Sequence, residues 1–84
     1  MTDDDIISRL DVIFREVLEN DAIVLTPLTQ AEDIAGWDSL SRVTIAVEVE
    51  HAFGIRIKAA EMESLQEIGD FIALVRSRLV VVSG

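Results

Sequence analysis

Apolar residues recur along this chain at helical spacing in three long stretches, separated by segments rich in turn-forming residues. Ile6, Ile7, Leu10, Ile13, Phe14, Val17 and Leu18 predict a first helix over residues 4–19. Thr2 or one of Asp3, Asp4 and Asp5 can cap it, acids in its first turn suit the helix dipole, and Asn20-Asp21 ends it. A second helix is predicted over residues 38–53. Asp38 is a favoured N-cap, and Gly54 can end the helix in the left-handed conformation. Ile55 and Ile57 then alternate with Arg56 and Lys58 as a short extended link, and residues 59–63 can make one helical turn. Ser64-Leu65-Gln66-Glu67 has the form of a capping box and predicts a last helix over 64–79. Its inner face carries Leu65, Ile68, Phe71, Ile72, Val75 and Leu79. Gly69 in its interior costs about 1 kcal/mol relative to Ala and marks a close helix approach. The tail Val80 to Gly84 is expected to fray. The fold class is all-α: a four-helix bundle of three main helices and a short third one.

Residues 21–37 form a long connection holding Pro27 and Gly36, with polar residues interleaved among Ile23, Val24, Leu25, Leu28 and Ile34. A loop of this length inside a small domain is unusual and often functional. Leu28 and Ile34 are expected to pin it to the core.

The second helix is too apolar for one buried face. At about 100° per residue, Ile45, Ala46, Val49, Ala52 and Phe53 cluster on one side, and Leu40, Val43 and Val47 on nearly the opposite side. One stripe faces the bundle. The other is left for the long loop, which could fold over and bury it, for solvent or for a partner, and an exposed apolar strip with a polar rim is a candidate docking surface. Arg42 falls near the inner face of this wheel and, in the first turn, is expected to reach solvent.

Size and charge narrow the function. The chain has 84 residues, enough for a single domain, 1–84, with a modest core and little room for a deep cleft. It has no cysteine, which excludes disulfides and thiolate metal sites and fits a reducing compartment. No stretch approaches the roughly 20 apolar residues of a membrane span, and the acidic start Met1-Thr2-Asp3-Asp4-Asp5 is the reverse of a signal peptide's basic one. A cytoplasmic location is expected. The net charge of −9 repels duplex DNA and anionic membranes and favours partners with basic patches, besides keeping a small protein soluble. Asp3-Asp4-Asp5 lacks the alternating acids, Gly and terminal Glu of a calcium loop, so no metal site is expected.

The run Gly36-Trp37-Asp38-Ser39-Leu40 delivers a serine to the first position of the second helix. A phosphate on that hydroxyl would sit where unpaired backbone N–H groups and the positive helix end favour an anion. Ser39 therefore reads as a residue to be modified, not as a nucleophile. Asp38-Ser39-Leu40 also resembles part of the Gly-Asp-Ser-Leu block of some serine hydrolases, but Trp37 interrupts it and no strand precedes it. A hydrolase also needs a base and an oxyanion hole. The only candidate base, His51, lies further along the same helix, about 18 Å away at 1.5 Å per residue, beyond hydrogen-bond reach. His51 is better read as a surface residue beside the Leu40 stripe. Asp and Ser are both favoured at helix starts, so Ser39 can also be only part of a cap. The chain would then be an unmodified helical adapter docking through Leu40, Val43 and Val47.

The Gly36–Leu40 run, followed by an amphipathic helix, resembles the attachment site of acyl carrier proteins. The likeness extends over roughly residues 4–79, through the order and lengths of four helices, Phe53-Gly54-Ile55 and the short third helix. It implies that Ser39 carries a 4′-phosphopantetheine arm, transferred from coenzyme A by a phosphopantetheinyl transferase. It implies an acyl carrier that holds its cargo as a thioester and presents it to acyl-loading and acyl-processing enzymes, with no catalysis of its own. Asp38 becomes the acid that meets the transferase. Leu40, Val43 and Val47 become the partner-facing positions, with Arg42 and Glu48 on the same contact face and Glu50 a further acid of that helix. Carriers of primary fatty-acid synthesis are similar but usually acidic at the second and fifth residues after the serine. Here those are Ser41 and Thr44, and Arg42 adds a positive charge. The departures, with Trp37, point to a specialised fatty-acid, polyketide or related pathway. Peptidyl and D-alanyl carriers share the serine and the bundle and remain the alternative. A monomer is expected, with no nucleic acid partner.

Overall fold

The computed structural model describes residues 2–82. Helix α1 (Asp3–Val17) opens on a reciprocal cap: the Asp5 amide donates to Thr2 Oγ1 at 3.2 Å, and the Thr2 amide donates to the Asp5 carboxylate at 3.1 Å. It closes at Leu18, with Glu19 left-handed at φ 51° and the Asn20 amide returning to the Arg15 carbonyl at 3.0 Å. Helix α2 (Ser39–Phe53) runs from Asp38 to a left-handed Gly54, as its sequence predicts. Helix α3 (Ala59–Glu63) is a single turn, and α4 (Ile68–Val82) completes the bundle. The core is where the three long helices meet: Leu10 and Phe14 from α1, Ile45 and Val49 from α2, Phe71 and Val75 from α4. Two ion pairs clip the periphery, Arg76 to Asp3 and Arg78 to Glu61.

The long connection is laid along α1 and the start of α4. Asp11 Oδ1 accepts from the Leu25 amide at 2.9 Å, and Arg15 Nε donates to the Ile23 carbonyl at 2.7 Å. Three backbone bonds zip it to the chain ahead of α4: Ala31 N–H to Gln66 O, Ile68 N–H to Thr29 O, and Gly69 N–H to Pro27 O, at 2.8, 2.9 and 2.8 Å. Ile34 is buried as expected, together with Ile23, Leu25 and Ala31. Leu28 is not; it is 78% exposed. It sits at the tip of a turn that the Thr29 amide closes onto the Thr26 carbonyl, and Pro27 on the same turn faces α4 instead.

The zipper also corrects the start of the last helix. The Ser64 capping box is not used. Ser64 ends α3, its hydroxyl donating to the Glu61 carbonyl at 2.9 Å, and Leu65–Glu67 run on to pair with the connection. Helix α4 begins at Ile68, where Asp70 in its first turn accepts from the Gln66 and Glu67 amides. Gly69 does mark a close approach, but to the Pro27 carbonyl and not to a helix. At the other end α4 continues through Val82, past the predicted 79. Of the tail expected to fray, Ser83 and Gly84 lie outside the described residues. No helix among the described residues is long and apolar enough to cross a membrane.

Candidate functional site: the Gly36–Leu40 turn and outer face of α2

The turn before α2 is anchored from beneath. Gly36 has φ +88°, a conformation that side chains resist, and a Cβ there would stand 3.3 Å from Leu18 Cδ2. Trp37 is half-buried and stacks on Phe14, with ring centroids 5.6 Å apart and planes within 4°. Asp38 follows in extended conformation and caps the helix, accepting from the Ser41 amide at 2.8 Å. Ser41 completes the box: its Oγ accepts from the Asp38 amide at 2.9 Å and donates to the Gly36 carbonyl at 2.7 Å. The Ser41 amide, and after it the Ser41 hydroxyl, hold the Asp38 carboxyl below the usual carboxylate range.

Ser39 is thereby fixed as the first residue of α2, and it is exposed. Its hydroxyl takes part in no hydrogen bond among the described residues. One expectation about this tip needs revision. Asp38 already takes the Ser41 N–H and draws on the Leu40 N–H, so an anion arriving at Ser39 meets a helix end partly neutralised by a carboxylate.

The two stripes of α2 separate as the wheel predicts. Ile45, Val49 and Phe53 are buried, whereas Leu40, Val43 and Val47 are 78%, 61% and 42% exposed. The long connection does not cover them. Ala52 departs from its stripe: it is exposed, and its carbonyl accepts from Arg9 at 3.4 Å. Glu48 and His51 are exposed, and among the described residues no group of three His, Cys, Asp or Glu side chains is placed to hold a metal ion. Arg42 does not reach freely into solvent. It is half-buried, its guanidinium carbon is 5.8 Å from the Trp37 ring centroid, and its Nε is buried with no hydrogen-bond partner.

A groove of about 260 Å³ runs along α2 from Ser39, walled by Val43, Ala46, Val47, Ile57 and Met62. Glu50 builds its far side by accepting from the Ile57 amide at 2.8 Å, which holds the extended link against α2. Sequence reasoning missed three of these roles. Ser41 had a usable signal, since Asp-x-x-Ser is a variant of the capping pattern. The Trp37–Phe14 stack and the Glu50 bond join distant turns, and no local pattern announces them.

The family model for the phosphopantetheine attachment site matches residues 8–75. The chain belongs to the acyl carrier protein family. Acyl carrier protein 2 of Ralstonia nicotianae is 33% identical over 79 residues, spanning 94% of this chain and 98% of the relative. The meromycolate extension acyl carrier protein of Mycolicibacterium smegmatis is 33% identical over 75 residues, spanning 89% of this chain and 76% of the relative. The solution structure of a holo acyl carrier protein from Geobacter metallireducens shares the fold with a TM-score of 0.79 at 39% identity, over 88% of this chain and 85% of that one. As a family member the chain is an acyl carrier with a covalent 4′-phosphopantetheine. The α2 tip fits that group: it offers a free serine hydroxyl, and an orphaned buried donor, Arg42 Nε, on the same helix.

Proposed function

We propose that Ser39 is the point of attachment of the phosphopantetheine arm and that this carrier serves a specialised fatty-acyl or related pathway. The observation that carries the first part is the exposed, unbonded Ser39 hydroxyl at the head of α2, on a turn held rigid by Trp37, Asp38 and Ser41. When bound, the arm supplies a terminal thiol that holds an acyl group as a thioester. The chain itself positions the root of the arm and offers the surface that brings enzymes to it, which raises the local concentration of cargo at each docked enzyme. Leu40, Val43 and Val47 form that surface, with Asp38 and Glu48 at its rim. The groove beside Val43 and Met62 suits a short apolar chain. The transferase and the acyl-loading and acyl-processing enzymes are the partners of this face, and the cytoplasm is its setting.

Two features support a specialised pathway. Ser41 and Thr44 occupy positions where primary carriers are usually acidic, and both are committed locally, Ser41 to the cap and Thr44 by donating to the Leu40 carbonyl at 3.2 Å. A basic docking patch therefore finds fewer carboxylates here. The likeness to a carrier named for meromycolate extension points the same way. The chain has no catalysis of its own in this reading: the carboxylate next to Ser39, that of Asp38, is engaged by the Ser41 amide, and His51 lies about 18 Å further along the helix. Intact mass after incubation with coenzyme A and a phosphopantetheinyl transferase tests the attachment site. One arm is expected on wild type and none on Ser39→Ala. An arm on both, or on neither, overturns it.

A further inference from the structure

We infer that Arg42 is the built-in counter-ion for the phosphodiester at the root of the arm. This rests on Ser39 as the attachment point. Residues three apart on a helix are neighbours, with Cβ atoms about 5–6 Å apart, so Arg42 stands one turn beyond Ser39 on the same side of α2. Both residues line the same groove. Positive charge is scarce in a chain of net charge −9, and Arg42 is the only Lys or Arg between Arg15 and Arg56.

The side chain is prepared for an anion and lacks one. Its Nε–H is withdrawn from water with no acceptor, a state that costs free energy until a partner arrives. A guanidinium over an aromatic face still presents its edge donors, and that planar fork matches phosphate oxygens. The carboxylates nearby do not take the role. Asp38 is engaged by the Ser41 amide, and Glu50 by the Ile57 amide. Glu32 lies across the cleft beside Trp37, and Glu63 on the far wall of the groove. Among the described residues none of the four forms an ion pair with Arg42. A phosphodiester on Ser39 carries a full negative charge and stands beside the Asp38 carboxylate. Arg42 offsets that repulsion where the helix tip alone does not. The helix that has Ser41 and Thr44 rather than acids thus carries a cation that serves the arm.

The test compares apo and holo forms of 15N-labelled protein by NMR, with intact mass establishing that the arm is on Ser39. In wild type the Arg42 Nε–H signal is expected to shift on loading and its hydrogen exchange to slow about three- to five-fold, the size of a partly exposed ion pair. The 31P resonance of the holo protein is expected to move in Arg42→Gln and to stay in the exposed control Arg56→Gln. If the arm is on Ser39 but Arg42 exchange is equal in the two forms, or the 31P signal ignores Arg42→Gln, Arg42 only braces Trp37 and the inference falls. If wild type takes no arm, or Ser39→Ala takes one, the attachment assignment falls with it.

Discussion

Val43 and Val49 sit less than two turns apart on α2 and lose the same two methyl groups when changed to Ala. Val49 is 0% exposed and Val43 is 61% exposed. Removing two buried methyls forfeits about 1.6 kcal/mol of transfer energy, at roughly 0.8 kcal/mol each. The cavity left in a packed core raises that to about 2–3 kcal/mol, and the better helix propensity of Ala returns about 0.5. Val49→Ala is therefore expected to cost about 2 kcal/mol, which in a domain this small lowers Tm by roughly 10 °C. At Val43 less than half of the transfer term applies, about 0.6 kcal/mol, and the propensity gain cancels it. Val43→Ala should melt with wild type. Thermal unfolding of the unmodified protein by circular dichroism reads both. The functional arm of the experiment uses Val43→Asp, which should keep the helix content and slow acyl transfer with a partner enzyme about ten-fold, the size of a central interface contact. Equal losses of stability at Val43 and Val49 would refute the two-stripe reasoning, because the outer stripe would then be packed.

Gly69→Ala tests the zipper between the long connection and α4. Its Cβ would lie 2.9 Å from the Pro27 carbonyl that the Gly69 amide already binds, so the substitution should destabilise by about 1–2 kcal/mol despite better helix propensity, and a raised Tm would contradict the close approach. Asp38→Asn tests the cap by pH. The carboxyl is depressed in the folded protein, so its contribution is present above the unfolded value near 4 and is lost as pH falls through the lower folded value. Asn caps nearly as well at pH 7, so the variant should match wild type there and lose less Tm below pH 4; parallel profiles would sink the reasoning.

The helices of the bundle were legible because their signals are local. Thr2, Asp38 and Gly54 mark ends by their own chemistry, and the division of α2 follows from geometry alone, since Ile45 and Val43 point apart in any helix. The start of α4 was not legible. Ser64 and Glu67 satisfy a capping pattern, yet Gln66, Ile68 and Gly69 beside them are needed as backbone partners for Ala31, Thr29 and Pro27, far away in sequence. Three tertiary hydrogen bonds outweigh one local cap worth about 1 kcal/mol. Leu28 failed for a related reason: an apolar residue at a turn tip carries no periodic signal, and the turn's backbone, not its side chain, meets α4. At the site, the place of Ser39 at the head of α2 and the exposure of the Leu40 stripe were legible, whereas the postures of Arg42 and Glu50 depend on Trp37 and Ile57, which only the fold brings near.

The turn before α2 shows why so small a domain can hold one hydroxyl steady while leaving it bare. A serine at the first turn of a helix normally risks becoming the cap, because its side chain can fold back onto free amides. Here Asp38 and Ser41 occupy those amides and each other's backbone, so Ser39 has no local partner to turn towards. Trp37 then carries the rigidity of the core to the turn through its stack on Phe14, one of the deepest residues of the bundle. Exposure of Ser39 is thus produced by the bonding of its neighbours. The same division governs the helix behind it: its inner stripe is consumed by the core, and its outer stripe stays open because the long connection is tied to Asp11, Arg15 and Gly69 on the opposite side.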